Sequence, residues 1–334
     1  MTQIQSVRER QTIENAIEAL EKFTSLKIFW TQDDAHINGI DGFMTFNNQT
    51  FPIEHKQEFS LSKLPSILQK KSRYSNLILV SENFSENIKI VLRNNKINYL
   101  DTGGNSYIQL LNSLIFINGQ KTLVKPEYYK DKAFTKRGLT IVFHFLNDDS
   151  LLNTTYRHIS AVTGASLDTI TKVIQSLRQQ GFIIQIDDKS MRLIDKKRLF
   201  EKWADAYENR LKPHLFFGSF RFQNIEAEKG WQNITLTSSS AWGGEPAASI
   251  LTDYFLRPAI YTLYSIETKN DLIKNYRFLP DPDGNIKVYI PFITIKAQES
   301  ITPLWVYADM LNSGSIRNIE VAQKIYDKYV QNIF

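Results

Sequence analysis

The chain contains no cysteine. Disulfides, thiolate-ligated zinc and thiol nucleophiles are therefore excluded. The five histidines, His36, His55, His144, His158 and His214, are scattered and show no metal-ligand spacing. No apolar run approaches the ~18 residues that a spanning helix requires. Arg8, Glu9 and Arg10 precede any apolar stretch, so no signal peptide is expected. A cytoplasmic protein with no membrane partner is the simple expectation. Charge imbalance is also small, 40 Lys+Arg against 35 Asp+Glu, or +5. Lys136 to Lys212 holds 13 basic and 9 acidic residues, so +4 of that excess lies in one stretch. What is present is ordinary globular material, 42% hydrophobic and 22% charged, and 334 residues are enough for two or three domains.

The stretch carrying the charge has a readable order. Apolar helices are expected over Leu139 to Leu146 and Tyr156 to Thr163, followed by a turn at Gly164. A third helix is expected from Ser166 to Gln180, with Ser166 as N-cap and Gly181 just past its end. Strands Phe182 to Ile186 and Met191 to Ile194 flank the turn Asp187-Asp188-Lys189. Three helices closed by a hairpin is the order of a winged helix-turn-helix. In the third helix Leu167, Ile170, Val173, Ile174 and Leu177 recur at helical spacing and form one apolar face. Thr169, Thr171, Lys172, Gln175 and Arg178 fall largely off that face. Hydroxyls, an amide and cations on an exposed helix suit a reader of the DNA major groove. Lys189 and Arg192 lie at the wing, within reach of phosphates. Double-stranded operator DNA is the expected partner.

Ahead of it, residues 1–127 are expected to form an α/β domain. Residues 10 to 23 read as an amphipathic helix, followed by strands at Leu26 to Trp30, Ile40 to Phe46 and Thr50 to Lys56. Glu54 and Lys56 share a strand face, and Asp41 on the hairpin-linked strand can meet them. Two carboxylates, Asp41 and Glu54, can hold Mg²⁺, and a neighbouring lysine can orient water for attack on a phosphodiester. This arrangement resembles the Asp…Glu-x-Lys core of restriction-endonuclease-like nucleases. A glutamate of the first helix, Glu14 or Glu18, is then the further candidate. The alternative is a surface salt bridge with Lys56 pairing Glu54 or Glu58. A strand, helix, strand run from Asn76 to Leu100 suggests a crossover, ending in the loop Asp101-Thr102-Gly103-Gly104-Asn105. Lys121 to Arg137 reads as a linker.

After a connecting helix from Asp195 to Lys212, residues 213–334 are expected to form a further α/β domain. Strands are expected at His214 to Phe222, Ile234 to Thr237, Ala259 to Ser265 and Asn285 to Phe292. Trp242-Gly243-Gly244-Glu245-Pro246 enters a helix, as in nucleotidyltransferases. The following strand offers no paired acids for Mg²⁺, so a non-catalytic fold of that type is the expectation.

Taken together, these segments resemble the AbiEi family of type IV toxin–antitoxin antitoxins, in its longer transcriptional-regulator branch. The resemblance rests on Asp41 with Ile53-Glu54-His55-Lys56, Asp101 to Ile108, and Thr163-Gly164-Ala165-Ser166. Trp242 to Ala248, Pro303-Leu304-Trp305-Val306-Tyr307-Ala308-Asp309 and Arg317-Asn318 complete it. It implies a bacterial regulator that represses its own operon through a winged helix, needs no cofactor for doing so, and binds repeated half-sites as a homodimer. It also implies opposition to a nucleotidyltransferase toxin without stable binding to it. The shorter family members begin with the winged helix, whereas here a nuclease-like domain precedes it. The rival expectation is therefore a Mg²⁺-dependent DNA nuclease with Asp41, Glu54, Lys56 and Glu14 as its site, targeted by the winged helix.

Overall fold

Asn47 and Asn48 both take left-handed conformations, with φ of 49° and 58°. Their side chains tolerate that region, and the turn fixes a hairpin whose register pairs Gly42 with Ile53. In the computed structural model residues 3–32, 39–122, 131–187, 190–295 and 300–334 are described. They form a mixed α/β chain of two compact units, 1–128 and 129–334.

The first unit is built on a seven-stranded sheet whose strands follow chain order. Helix α1 (Gln3–Thr24) precedes β1 (Phe29–Gln32), β2 (Gly42–Phe46) and β3 (Gln49–His55), all antiparallel. Helix α2 (Leu64–Arg73) and helix α3 (Glu86–Asn94) then carry the chain between β3, β4 (Ile78–Ser81) and β5 (Asn98–Asp101), which run parallel. Strands β6 (Ser106–Gln109) and β7 (Leu114–Ile117) close the sheet antiparallel. Ile13, Ala16, Ile17 and Leu20 of α1 pack on Ile53, Ile78, Val80 and Leu100 of one sheet face. Neighbouring residues along a strand face oppositely, so Leu79 and Tyr99 serve the other side.

Several expectations for this unit shift. Helix α1 begins earlier than residue 10 and β1 later than Leu26. The helix of the strand, helix, strand run starts at Glu86, where Ser85 accepts the Ile88 amide as N-cap. Helix α2 and strand β7 had no strong local signal. Their apolar residues become legible only against the sheet they complete.

The second unit opens with α4 (Lys136–Asn147), α5 (Tyr156–Thr163) and α6 (Leu167–Gln179), then the hairpin β8 (Ile183–Gln185) and β9 (Met191–Leu193). Ser166 caps α6 through the Thr169 amide, and Gly181 at φ 75° turns the chain into the hairpin. Helix α7 (Lys196–Ala206) runs on through a π-turn to Leu211. Strand β10 (Phe216–Arg221), helix α8 (Ile225–Lys229), β11 (Ser240–Gly243), α9 (Gly244–Leu251) and β12 (Tyr261–Ser265) follow. Then come α10 (Lys269–Tyr276), β13 (Leu279–Pro280), β14 (Ile286–Tyr289), α11 (Pro303–Asn312) and α12 (Ile316–Ile325). The five strands take the order β11-β12-β14-β10-β13, with β12 and β14 parallel.

The strand expected at Ile234 to Thr237 is not formed. The Thr237 amide is taken by the Tyr276 hydroxyl, at 3.0 Å, instead of by a neighbouring strand. Ser240 instead opens β11, a strand that was not expected, and pairs with Ser265. The sequence divides at Pro213, but one hydrophobic core runs without interruption from Leu139 and Phe143 through Trp203 to Trp305 and Val330.

Candidate nucleic-acid interface

Helix α6 buries Ile170, Val173, Ile174 and Leu177 and turns its other side to solvent. Ser176, on that buried side, donates to Asp131 at 3.1 Å. On the solvent side Lys172 and Gln175 are exposed. Lys172 reaches Asp168 one turn back at 2.7 Å, an exposed pair of little energetic weight that exchanges easily for a phosphate. Gln175 has no hydrogen-bond partner among the described residues, so its amide is open to an incoming base edge.

The other expected contacts are engaged. Thr169 meets Ser166 at 2.9 Å within the helix cap, and Thr171 donates to the Leu167 carbonyl at 2.9 Å. Arg178 bends to Gln185 on the hairpin and lies 3.0 Å from the Met191 sulfur, which ties α6 to β8 and β9. Arg192 is exposed on β9, while Lys189 lies outside the described residues. Tyr156, Arg157 and His158, at the exposed start of α5, were not singled out from sequence. Thr155, the cap just ahead of them, was the available signal.

In the first unit Asp41 and Glu54 do come together. Burial pushes the Asp41 carboxyl above its usual range, and the nearby Glu54 charge adds to that, against the opposing His55 amide. That amide donates to Asp41 at 2.7 Å. Glu54 is only 2% exposed, and both of its oxygens are taken: Lys56 at 2.5 Å on one, Lys70 at 2.5 Å on the other. Lys56 thus pairs with Glu54, as the salt-bridge alternative has it. Lys70 comes from α2, which the sequence did not reveal. Glu14 instead pairs with Arg10 at 2.8 Å on the exposed side of α1, and Glu18 pairs with Lys22 at 2.8 Å. Among the described residues no three acids or histidines gather into a metal-binding group. A divalent cation between Asp41 and Glu54 would face two ammonium groups, so this donor set does not fit a resident Mg²⁺. The nearby Asp101 is fully buried and accepts from the Gly103 and Asn105 amides and the Asn105 side chain. It holds its own loop closed.

The segments Trp242 to Ala248, Pro303 to Asp309 and Arg317-Asn318 meet in the second unit. Asp309, buried on α11, accepts from Tyr264 at 2.9 Å and from the Gly244 amide at 3.2 Å. Lys212, at the end of the α7 extension, pairs with it at 3.1 Å and with Glu208 at 2.9 Å. Burial alone would push the Lys212 ammonium down, but the Asp309 and Glu208 carboxylates hold it well above its usual range. Tyr207 joins through Tyr264 at 2.7 Å and through the Trp305 indole at 2.9 Å. In the first turn of α9, Glu245 accepts from Ala259 at 2.6 Å, Arg317 at 2.9 Å and Asn318 at 2.8 Å. The charged groups of the motif therefore each meet a partner, although the buried Asn318 Oδ1 has none among the described residues, and the charges serve to lock α7, α9, α11 and α12 together.

Residues 192–331 match the family model described as "Transcriptional regulator, AbiEi antitoxin, Type IV TA system". No curated protein and no solved structure matches the chain. The matched residues contain Asp309, Glu245 and every partner just named, so it is this segment of the chain that is similar to the AbiEi antitoxin family of transcriptional regulators.

Proposed function

We propose that this protein is a DNA-binding regulator of antitoxin type that represses its own operon. Residues 136–194 then act as a winged helix, with α6 in the major groove and the β8–β9 hairpin against the backbone. The observation that carries this reading is the solvent face of α6. Lys172 and Gln175 stand side by side on a helix whose opposite face buries Ile170, Val173, Ile174 and Leu177, while Leu167 of the expected apolar face is exposed. Arg192 and Lys189 contribute phosphate contacts, and Arg157 flanks them from α5. Two copies binding repeated half-sites would supply the affinity that one small interface lacks. The protein opposes a nucleotidyltransferase toxin without stable binding to it, and its DNA binding requires no cofactor.

The first unit is then a restriction-endonuclease-like scaffold. Its parallel β3-β4-β5 core with a leading hairpin supports that likeness. Residues 213–334 are a non-catalytic nucleotidyltransferase-like fold, supported by the Gly243-Gly244 entry to α9 and the acid-free β12. Replacing Lys172 and Gln175 together with Ala should weaken binding to the upstream DNA by roughly 10- to 100-fold, since a good base contact contributes about 1–3 kcal/mol of discrimination. Melting temperature should not change. Unaltered operator affinity in a gel-shift or anisotropy titration would remove α6 from the role of reader. The same mixture, with Mg²⁺ and with chelator, should show binding without strand cleavage.

A further inference from the structure

Helix α8, the turn at Trp231 and the loop after α9 enclose a cleft of about 410 Å³ that the DNA-reading face does not use. Trp231, Tyr254, Tyr261, Glu228, Lys229 and Arg257 line it. A second cavity of about 270 Å³ adjoins it, sharing Trp231, Gln232 and Tyr254. The larger volume lies in the range of small-molecule sites.

Tyr261 is 3% exposed, yet its hydroxyl has no hydrogen-bond partner among the described residues. The ring is buried while the hydroxyl opens onto the cleft, where it can donate to a ligand. Burial, the Glu228 charge beside it and the more distant Glu245 hold that hydroxyl up to about 12, against Arg257, so at neutral pH it is a donor. Glu228 accepts from Asn285 at 2.9 Å through one oxygen. Its other oxygen has no partner among the described residues. Lys229 and Arg257 are exposed at the rim, and neither forms an ion pair among those residues. Asp253 and Tyr254 both adopt positive φ, 54° and 61°, a strained pair of non-glycine residues. The Tyr254 amide is held by the Ser249 carbonyl at 2.7 Å, which positions its backbone at the cleft edge.

Aromatic walls, one donor hydroxyl, one free carboxylate oxygen and two rim cations are complementary to a single chemistry. We propose that this cleft binds a nucleoside phosphate, with the base against Tyr254 and Trp231 and the phosphate at Lys229 and Arg257. Glu228 accepts from an exocyclic amino group and Tyr261 donates to a ring or ribose oxygen or nitrogen. The ligand is either a free mononucleotide or the end of a nucleic-acid strand. The inference is independent of the role assigned to α6.

Calorimetric titration of the full chain with AMP, CMP, GMP, UMP, adenosine, inorganic phosphate and a single-stranded trinucleotide tests it. Saturable one-to-one binding is expected, weakest for UMP among the nucleotides because uracil lacks the amino group. Tighter binding of the mononucleotide or of the trinucleotide identifies the source. Arg257→Gln with Lys229→Gln should weaken it by about tenfold or more, and Tyr261→Phe by about fivefold. Both cations are exposed and the phenylalanine keeps the ring contacts, so folding is preserved. No saturable binding of any nucleotide, or binding indifferent to both variants, would overturn the assignment.

Discussion

Asp309 is a buried charge that the chain surrounds with donors. Two tyrosines, a backbone amide and Lys212 converge on it from the α7 extension, β12 and α9. Removing one partner of such a group strands the others, which costs about 3–5 kcal/mol. Asp309→Ala should therefore lower the unfolding free energy by that amount in a denaturant titration. Asp309→Asn, which fills the same space and keeps one acceptor oxygen but puts an NH2 donor where the other oxygen accepts, should cost less than the alanine. His55 gives the opposite kind of case. Burial, with Lys56 beside it, lowers its pKa from 6.5 to about 4. Its Nε2 is buried without a partner among the described residues. The unfolded chain therefore binds a proton between those values while the folded chain does not. The stability owed to a neutral His55 is complete above pH 6.5 and is lost as pH falls through 6.5 towards 4. Melting of the native protein and of His55→Gln from pH 7 to 4.5 should show a shallower fall in the variant. Equal slopes would mean that His55 carries no such linkage.

At the scale of elements, the approach of β11 to β12 is set by an absent side chain. A Cβ on Gly243 would lie 2.3 Å from the Tyr264 ring. That ring is fully buried and hydrogen-bonded to Asp309, so it cannot move aside. Gly243→Ala should destabilise the protein by about 1–3 kcal/mol, the usual range for an overpacked core, and chemical denaturation will read it. Helix α2 makes a comparable point in the first unit. It contributes Lys70, so Lys70→Met should leave Glu54 with Lys56 alone and destabilise the unit by about 1–3 kcal/mol. An unchanged denaturation midpoint would mean that Lys56 satisfies Glu54 unaided. Helix α6 was legible in advance because its cap, its apolar stripe and its terminal glycine are all local signals. Helix α2 was not, since its two core residues, Leu64 and Ile67, show no stripe until the sheet lies beneath them.

At the scale of the whole molecule, each unit has its own core. Ile13 to Ile108 form one, and the other spans Ala133 to Val330. A core shared by α4, α7, α11 and the five-stranded sheet predicts that residues 129–334 fold without the first unit. Expressed alone, that segment should give a cooperative thermal transition and keep the operator affinity of the full chain. Cutting it at Pro213 should instead leave Trp203 and Trp305 exposed and both pieces insoluble, which fractionation after expression will show.

Local chemistry in the sequence was enough to determine the order of helices and strands around the third helix. It also determined the parallel crossover of the first unit and the meeting of Asp41, Glu54 and Lys56, since caps, periodicity and strand alternation act over a few residues. Tertiary structure alone decided that Glu54 is also neutralised by Lys70, that Arg178 serves the hairpin, and that Glu245 meets Arg317 and Asn318 while Asp309 meets the adjacent Gly244 amide. Those pairings join residues separated by 7 to 73 positions. Loop closure and burial set such contacts, and neither leaves a mark in the residues on either side.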